Sequence, residues 1–329
     1  MQKRDYRIYR IPTYQIPTYR LLTHRPPTYL TSMAQSLQLS LDSSANDVVQ
    51  ERSQWQWLRL VFRSVPATIS LAVICLIILT AIFGPTVVPY DPSAQDYEFL
   101  EAPSGTHWMG TDDLSRDLFS RIVTGARISL FVGFSTVILS MILGVIMGVL
   151  SGYYGGWVDT IIMRYIDLQW AFPNFIIAVY LVAVFGAGLL NVILAITLAF
   201  LDDFARIVRG MVLTLRTQDF VTASRATGAS DWRIMFRHIL PNAVAPIIVQ
   251  ATVSVSAAIL AEAGLSFLGV GVEPTTPTWG LILNDARSFF SQAWWLAVFP
   301  GAAITITVLS INFFGDTLRD IFDVREYDV

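Results

Sequence analysis

Long stretches without a single charged residue constrain this chain more than any other feature. Charge-free windows cover 64–90, 128–158, 168–201, 239–261 and 288–315. A helix needs about 20 apolar residues to cross the hydrocarbon core of a bilayer, so four of these windows fit one crossing each. The window 168–201 does not. As one helix it would run about 50 Å, against a core of about 30 Å. It reads as parts of two helices that turn at "GAGLLN" (186–191), their far ends carrying Arg164, Asp167, Asp202, Asp203 and Arg206. Composition agrees with a membrane protein: 54% of the residues are hydrophobic and 14% charged, where soluble domains carry about a quarter.

Charge asymmetry sets the direction of the crossings. The segment before residue 64 holds nine basic residues against four acidic, and 202–238 holds six arginines against four aspartates, so both belong in the cytoplasm. Six crossings satisfy both; five would not. The loops then placed outside are acidic, with three arginines against seven acids over 91–127. The expected fold is therefore all-α and integral to the membrane, with spans near 67–88, 128–151, 159–185, 190–212, 242–265 and 293–314. They form a membrane domain of 64–315 between cytoplasmic tails 1–63 and 316–329, in a multi-pass protein of the inner or plasma membrane with both termini inside.

Gly144, Gly148 and Gly152, four apart, give span 2 a small-residue face for close helix contact. Pro173, Pro246 and Pro300 should kink their helices or mark their ends. Trp294 and Trp295 fit an interfacial belt, Cys75 reads as a small buried hydrophobe, and Arg164 and Asp167 can pair along one helix face. The Pro-Thr-Tyr repeat within 1–32 reads as a disordered tail or as sequence upstream of a true start at Met33. It has no apolar stretch that would make it a signal peptide.

The lone lysine, Lys3, excludes a phosphate-binding loop of the Walker type, so any ATP that drives this chain binds another polypeptide. His24, His107 and His238 are too scattered for a metal site.

Between spans 4 and 5 lies a polar stretch, "DFVTASRATGASDWRIMFRHILPNAVAPI" (219–247). Thr217 to Thr227 can form a short helix stopped by Gly228, and Ser230 can cap a second one. There Trp232, Met235, Phe236 and Ile239 fall on one face, with Arg233 and Arg237 elsewhere. Pro241 should end that helix and Asn242 cap the next span. By physics alone the segment suits an interfacial amphipathic helix at lipid phosphates, an internal gate, or a docking element for a soluble partner.

The segment resembles the EAA loop of ABC importer permeases: Glu-Ala-Ala, three residues, Gly, nine residues, Ile, one residue, Leu-Pro. Thr222, Ala223 and Ser224 fill the triplet, Gly228 the glycine, His238 the isoleucine and Leu240–Pro241 the last pair. From about residue 60 to 326 the chain is similar to the C-type permease subunit of the dipeptide, oligopeptide and nickel importer group. The matching blocks are "HWMGTDDLSRDLFSRIVTGARISL" (107–130), "GYYGGWVDTIIMRYID" (152–167), "LSFLGVGVEPTTPTWG" (265–280) and "GDTLRDIFDVR" (315–325). Ser115 stands where glycine is usual, and Val324 where proline is.

The resemblance implies a non-catalytic permease that pairs with a second, B-type permease. Two ATPase subunits that bind ATP and Mg would dock below, and an extracytoplasmic substrate-binding protein would deliver cargo. This chain would hold no cofactor or metal itself. Lipid is an expected partner and nucleic acid is not. The coupling loop would comprise Thr222, Ala223, Ser224, Arg225, Gly228, Asp231, Trp232, Arg233, Phe236, Leu240 and Pro241. Relatives carry peptides, nickel, glutathione or sugars.

Gln250, Ser254 and Glu262 are candidates for a gate or path, as are Asn191, Thr252, Ser256, Thr305 and Thr307, although all of these can simply bond helix to helix. Glu262 could equally point into interfacial water. An ion-coupled transporter or channel is the competing class, disfavoured by span centres read as free of charge.

Overall fold

A computed structural model describes residue 62 and residues 64–326; the repeat in 1–32, the Met33 alternative and the last three residues lie outside the described residues. Among the described residues the secondary structure is helical, with one isolated bridge between Thr111 and Asp117. The long elements are α1 (Val65–Val87), α2 (Leu118–Tyr154), α3 (Gly156–Trp170), α4 (Asn174–Phe185) and α5 (Leu189–Leu215). A short α6 (Asp219–Ala226) and α7 (Asp231–Arg233) follow, then α8 (Val244–Phe267), α9 (Trp279–Ala286) and α10 (Trp295–Glu326). Among the described residues four helical stretches are long and apolar enough to cross a membrane, Val65–Val87, Leu118–Tyr154, Asp231–Phe267 and Trp295–Phe322; the pair α3–α4, bent by 92°, adds a fifth only if it counts as one broken span.

Helix α5 falls outside that set because Asp202, Asp203, Arg206 and Arg209 lie inside it. Asp202 is fully buried near its middle, which corrects the expectation that span centres are free of charge. Pro173 lacks an N–H and disfavours helix at Phe172, and the chain turns between α3 and α4. Helix α2 begins ahead of the expected crossing because Asp117 accepts a hydrogen bond from the Ser120 N–H at 2.8 Å, an N-cap.

The core is the pair α2–α5. A Cβ on Gly144 would lie 2.5 Å from the Leu201 carbonyl oxygen, and one on Gly148 2.6 Å from that of Ala205. The small-residue face thus brings two backbones together, with Phe204 and Val208 filling the seam. Helix α1 packs only along one side, against α2 and α10, and Cys75 lies exposed on the other. Trp295 is buried, its Nε1–H donating to the Thr111 carbonyl at 3.1 Å; of the expected belt, Trp294 alone is exposed.

Candidate functional site

The polar segment folds as an elbow. Helix α6 ends in a paired turn: the Gly228 N–H bonds the Arg225 carbonyl at 3.0 Å and the Ala229 N–H reaches back to Ser224 at 3.1 Å. That pattern needs a left-handed residue, and Gly228 supplies it at φ +81°. Ser230 precedes α7 in extended backbone without a side-chain cap bond among the described residues. Beyond Arg233 the chain widens into a π turn over Ile234–Ile239, tightens into a 3-10 turn over Leu240–Ala243, and enters α8 without a break.

Three expectations change here. Pro241 does not end the helix: widening the preceding turn gives its ring room, and the Leu240 N–H bonds five residues back to Met235. Asn242 does not cap α8; its Nδ2–H donates to the His238 carbonyl at 2.6 Å. The wider turn also regroups the buried face as Ile234, Met235 and Ile239, with Phe236 half-buried. Trp232 is left 66% exposed, its ring tilted against that of Phe236 at 4.0 Å between centroids. Thr222, Ala223, Arg225, Gly228, Asp231, Arg233 and Pro241 are exposed as well, while Ser224 and Leu240 are half-buried.

The elbow is tied to the end of α2 by a residue the sequence did not single out. Tyr153, buried, donates its hydroxyl to Asp231 Oδ1 at 2.6 Å and accepts a longer bond from Arg225 Nη2 at 3.4 Å. Arg216 Nη1 donates to the last carbonyls of α2, Gly152 at 2.8 Å and Tyr153 at 3.3 Å. Asp159 takes a two-pronged bond from Arg209 at 2.6 and 2.7 Å and another from Ser151. The block "GYYGGWVD" carries these groups, but no spacing rule pairs residue 153 with 231. Asp167 does not pair with Arg164; it lies 3.5 Å from Arg206 without hydrogen-bond alignment, and that guanidinium sits 3.9 Å over the Trp170 ring.

The gate candidates do not converge. Gln250 borders a cavity of about 850 Å3 between α5, α8 and α10 and bonds Ser254 Oγ at 3.2 Å. Ser254 is itself buried. Glu262 is fully enclosed, accepting from Ser129 at 3.1 Å and Ser266 at 2.8 Å, which corrects the reading that it points into water. Asn191, Thr252, Ser256, Thr305 and Thr307 bond backbone carbonyls, as helix-to-helix or local ties.

Around Glu262 the far end of the bundle is closed by buried polar groups. Ser129 Oγ also accepts from the Trp279 N–H at 3.2 Å, and Trp279 Nε1–H reaches the Ile122 carbonyl at 3.0 Å. Beside them Asp112 receives Arg121 and, at 2.7 Å, Arg116, and both arginines also face Asp285. His107 Nδ1 lies 2.8 Å from Asp117. Burial pushes the carboxyls of Asp113 and Asp285 above the usual range, against the lowering pull of the arginines. Asp112, Asp113 and Asp285 stand close enough to share a cation, but the two guanidiniums between them already supply the countercharge.

Residues 118–326 match the family described as the binding-protein-dependent transport system inner membrane component, and 53–103 match the N-terminal TM domain of oligopeptide transport permease C. The chain is 45% identical over 257 residues to the di/tripeptide transport system permease protein DppC of Pseudomonas aeruginosa, covering 76% of this chain and 85% of that one. To the glutathione transport system permease protein GsiD of Escherichia coli it is 45% identical over 280 residues, covering 84% and 92%. Among solved structures, the inward-facing MetNI methionine ABC transporter shares the fold, with a TM-score of 0.52 at 22% identity over 62% of this chain and 97% of that one.

Proposed function

This chain belongs to the family of binding-protein-dependent transport system inner membrane components, as a C-type permease of the peptide and oligopeptide ABC importer group, and on that premise we propose how it is driven. It is a non-catalytic, multi-pass membrane subunit, and ATP hydrolysis lies in separate subunits. We propose that it sits in the inner membrane with both termini cytoplasmic and pairs with a B-type permease. Two ATPase subunits lie beneath the pair, and a binding protein supplies a short peptide or glutathione from outside. The family and the names of the relatives support that assembly.

The elbow 219–243 is then the part an ATPase subunit grips. The observation that carries this is Trp232, a large ring left 66% exposed and buttressed by Phe236 at the tip of a braced turn. Tryptophan and arginine are the residue types that anchor protein interfaces. Force leaves the elbow by two routes, directly along the unbroken path into α8, and through the Tyr153–Asp231 bond into α2. Two attachments turn a local push into a rigid-body tilt of the bundle. Cys75 is the one cysteine of the chain, so replacing it clears the background for a test. A cysteine placed at Trp232 or Arg233 should cross-link to an ATPase subunit in a transport-competent complex. A working complex that never yields that product would remove the docking role.

A further inference from the structure

Helix α9 lies across the far end of the bundle, and its two ends are held on different terms. At its start Trp279 is 2% exposed, with its N–H on Ser129 Oγ and its indole N–H on the Ile122 carbonyl, so this end is fixed to α2. A Cβ on Gly280 would lie 2.5 Å from the Ala263 carbonyl oxygen, which seats the first turn of α9 directly on the backbone of α8. The other end has no such seat. Among the described residues its polar ties to α2 and to the loop before α2 all run through Asp285, with Phe289 meeting Phe99 edge-on at 5.9 Å beyond it.

Asp285 is a surplus acid there. Its Oδ2 lies 3.3 Å from Arg121 Nη1 and 3.5 Å from Arg116 Nη2, longer than the 2.7 Å bond that Arg116 makes to fully buried Asp112. Asp112 also takes the backbone N–H groups of Leu114 and Arg116 at 2.9 Å each, so it is built into the loop. Asp113 approaches Arg116 to 3.9 Å. Asp112 and Asp113 therefore match the two guanidiniums in charge, and Asp285 can leave without stranding either arginine. It is half-buried, within reach of water, and burial already pushes its carboxyl above the usual range against the pull of Arg121.

The rest of this end is tied to α8. Asn284 Nδ2–H donates to the Phe267 carbonyl at 2.5 Å, and the Arg287 guanidinium sits 5.2 Å over the Phe267 ring. Phe267 is the last residue of α8, the helix that continues the elbow. A displacement of α8 therefore bears on the Asp285 end of α9, while the Trp279 end is held by α2.

We propose that α9 is a lid on the cargo entrance, pivoting at Trp279 and clasped shut by Asp285 on Arg116 and Arg121. The frame of Asp112, Arg116 and Arg121 keeps its place when the clasp opens. It rests on the importer reading above, which puts this end of the bundle outside, and deepens it by assigning the element that admits cargo.

The test uses the whole complex in proteoliposomes with its binding protein, Cys75 replaced, and a membrane-impermeant maleimide added on the side of the binding protein. Ala286→Cys puts a thiol on the buried side of α9, where the alanine is 2% exposed. Ser120→Cys puts one in the frame, at a fully buried hydroxyl without a hydrogen-bond partner among the described residues. When a non-hydrolysable ATP analogue holds the ATPase subunits closed, position 286 should react about tenfold faster than at rest, and position 120 should not change. Adding Asp285→Asn, which removes the charge of the clasp, should give about the same tenfold rise at rest.

Slow labelling at 286 in every state overturns the lid. Equal acceleration at 120 and 286 overturns it too, as a loosening of the whole end, and an unchanged resting rate in Asp285→Asn overturns the clasp. Should Asp285→Asn fail to assemble, the resting and nucleotide-held complexes of the otherwise native chain decide. A complex that moves no solute when given ATP and binding protein overturns the importer reading and the lid with it. One that transports while position 286 stays shielded overturns the lid alone.

Discussion

The two ends of α2, about 55 Å apart by helix rise, are built on opposite terms. At the end where α2 starts, Asp112, Asp117, Arg121, His107 and Glu262 are all under a tenth exposed. They, and the tryptophans beside them, bond across elements remote in sequence, 129 to 262, 122 to 279 and 111 to 295. At the other end Arg225, Trp232 and Arg233 stand in the open, and the elbow rests on the bundle through the apolar side chains of Val221, Ile234, Met235 and Ile239, with a tyrosine hydroxyl as a polar tie. Buried charges fix geometry, because separating them leaves one desolvated and unpaired. Exposed groups can trade water for a partner's surface with little loss. The contrast suits a machine in which one end stays fixed while the other is gripped and moved.

The sharpest way to break that contrast is to remove a charge from the buried end. Arg121→Met keeps length and bulk but leaves the Asp112 carboxylate, fully buried, with Arg116 as its remaining countercharge. The expected loss is about 3 kcal/mol, the low end of the range for breaking a buried pair because Arg116 stays in place, read as a lower thermal midpoint of the purified complex. Arg127→Met, on the exposed surface of the same helix, is the reference. If both variants melt together, the buried cluster is not a lock.

At the elbow the effect should appear in coupling rather than stability. Tyr153→Phe removes the donor to Asp231 and should cost about 1 kcal/mol of stability. It should raise the ATP hydrolysed per solute moved severalfold, because the route into α2 is cut. Asp231→Asn in the otherwise native chain keeps an acceptor for the tyrosine and should retain a nearly native ratio. A native ratio in Tyr153→Phe would assign all transmission to α8.

Much of this was legible from spacing alone, because spacing governs what happens within one helix. The four-residue glycine repeat announced a close helix contact, and it is the α2–α5 seam. Gly228 announced a left-handed stop after a short helix, and it closes α6. What spacing cannot carry is which surfaces meet. Tyr153 and Asp231 lie 78 residues apart, and neither is unusual in its own segment. Pro173 marked a break but not its 92° direction, which depends on packing against α5. A helical period groups Trp232 with Met235, Phe236 and Ile239, but the π turn over Ile234–Ile239 breaks that period, and Trp232 is exposed while Met235 and Ile239 are buried. For Glu262 the sequence leaves a gate residue and an acid in interfacial water equally open, since nothing nearby in sequence shows that Ser129 waits for it.

The smallest expected effect tests whether every charge at the buried end helps to hold it. Asp113 stands beside Asp112, and its Oδ1 is buried without a hydrogen-bond partner among the described residues. Burial first, then the neighbouring aspartate, raise its carboxyl above the usual range. A carboxyl whose folded value lies above its unfolded one holds its proton more tightly when folded. Its contribution is therefore greatest below the ordinary aspartate value of about 3.9 and is lost as pH rises from there through the raised value. At neutral pH the charged Asp113 works against the fold. Asp113→Asn should then raise stability at neutral pH by about 0.5 kcal/mol, read as a slightly higher thermal midpoint and small because the group is partly exposed to solvent. It should also flatten the fall of the midpoint as pH rises above the ordinary aspartate value. A lower neutral midpoint would mean that the 3.9 Å approach to Arg116 outweighs burial, and that the cluster needs all its acids to stay shut.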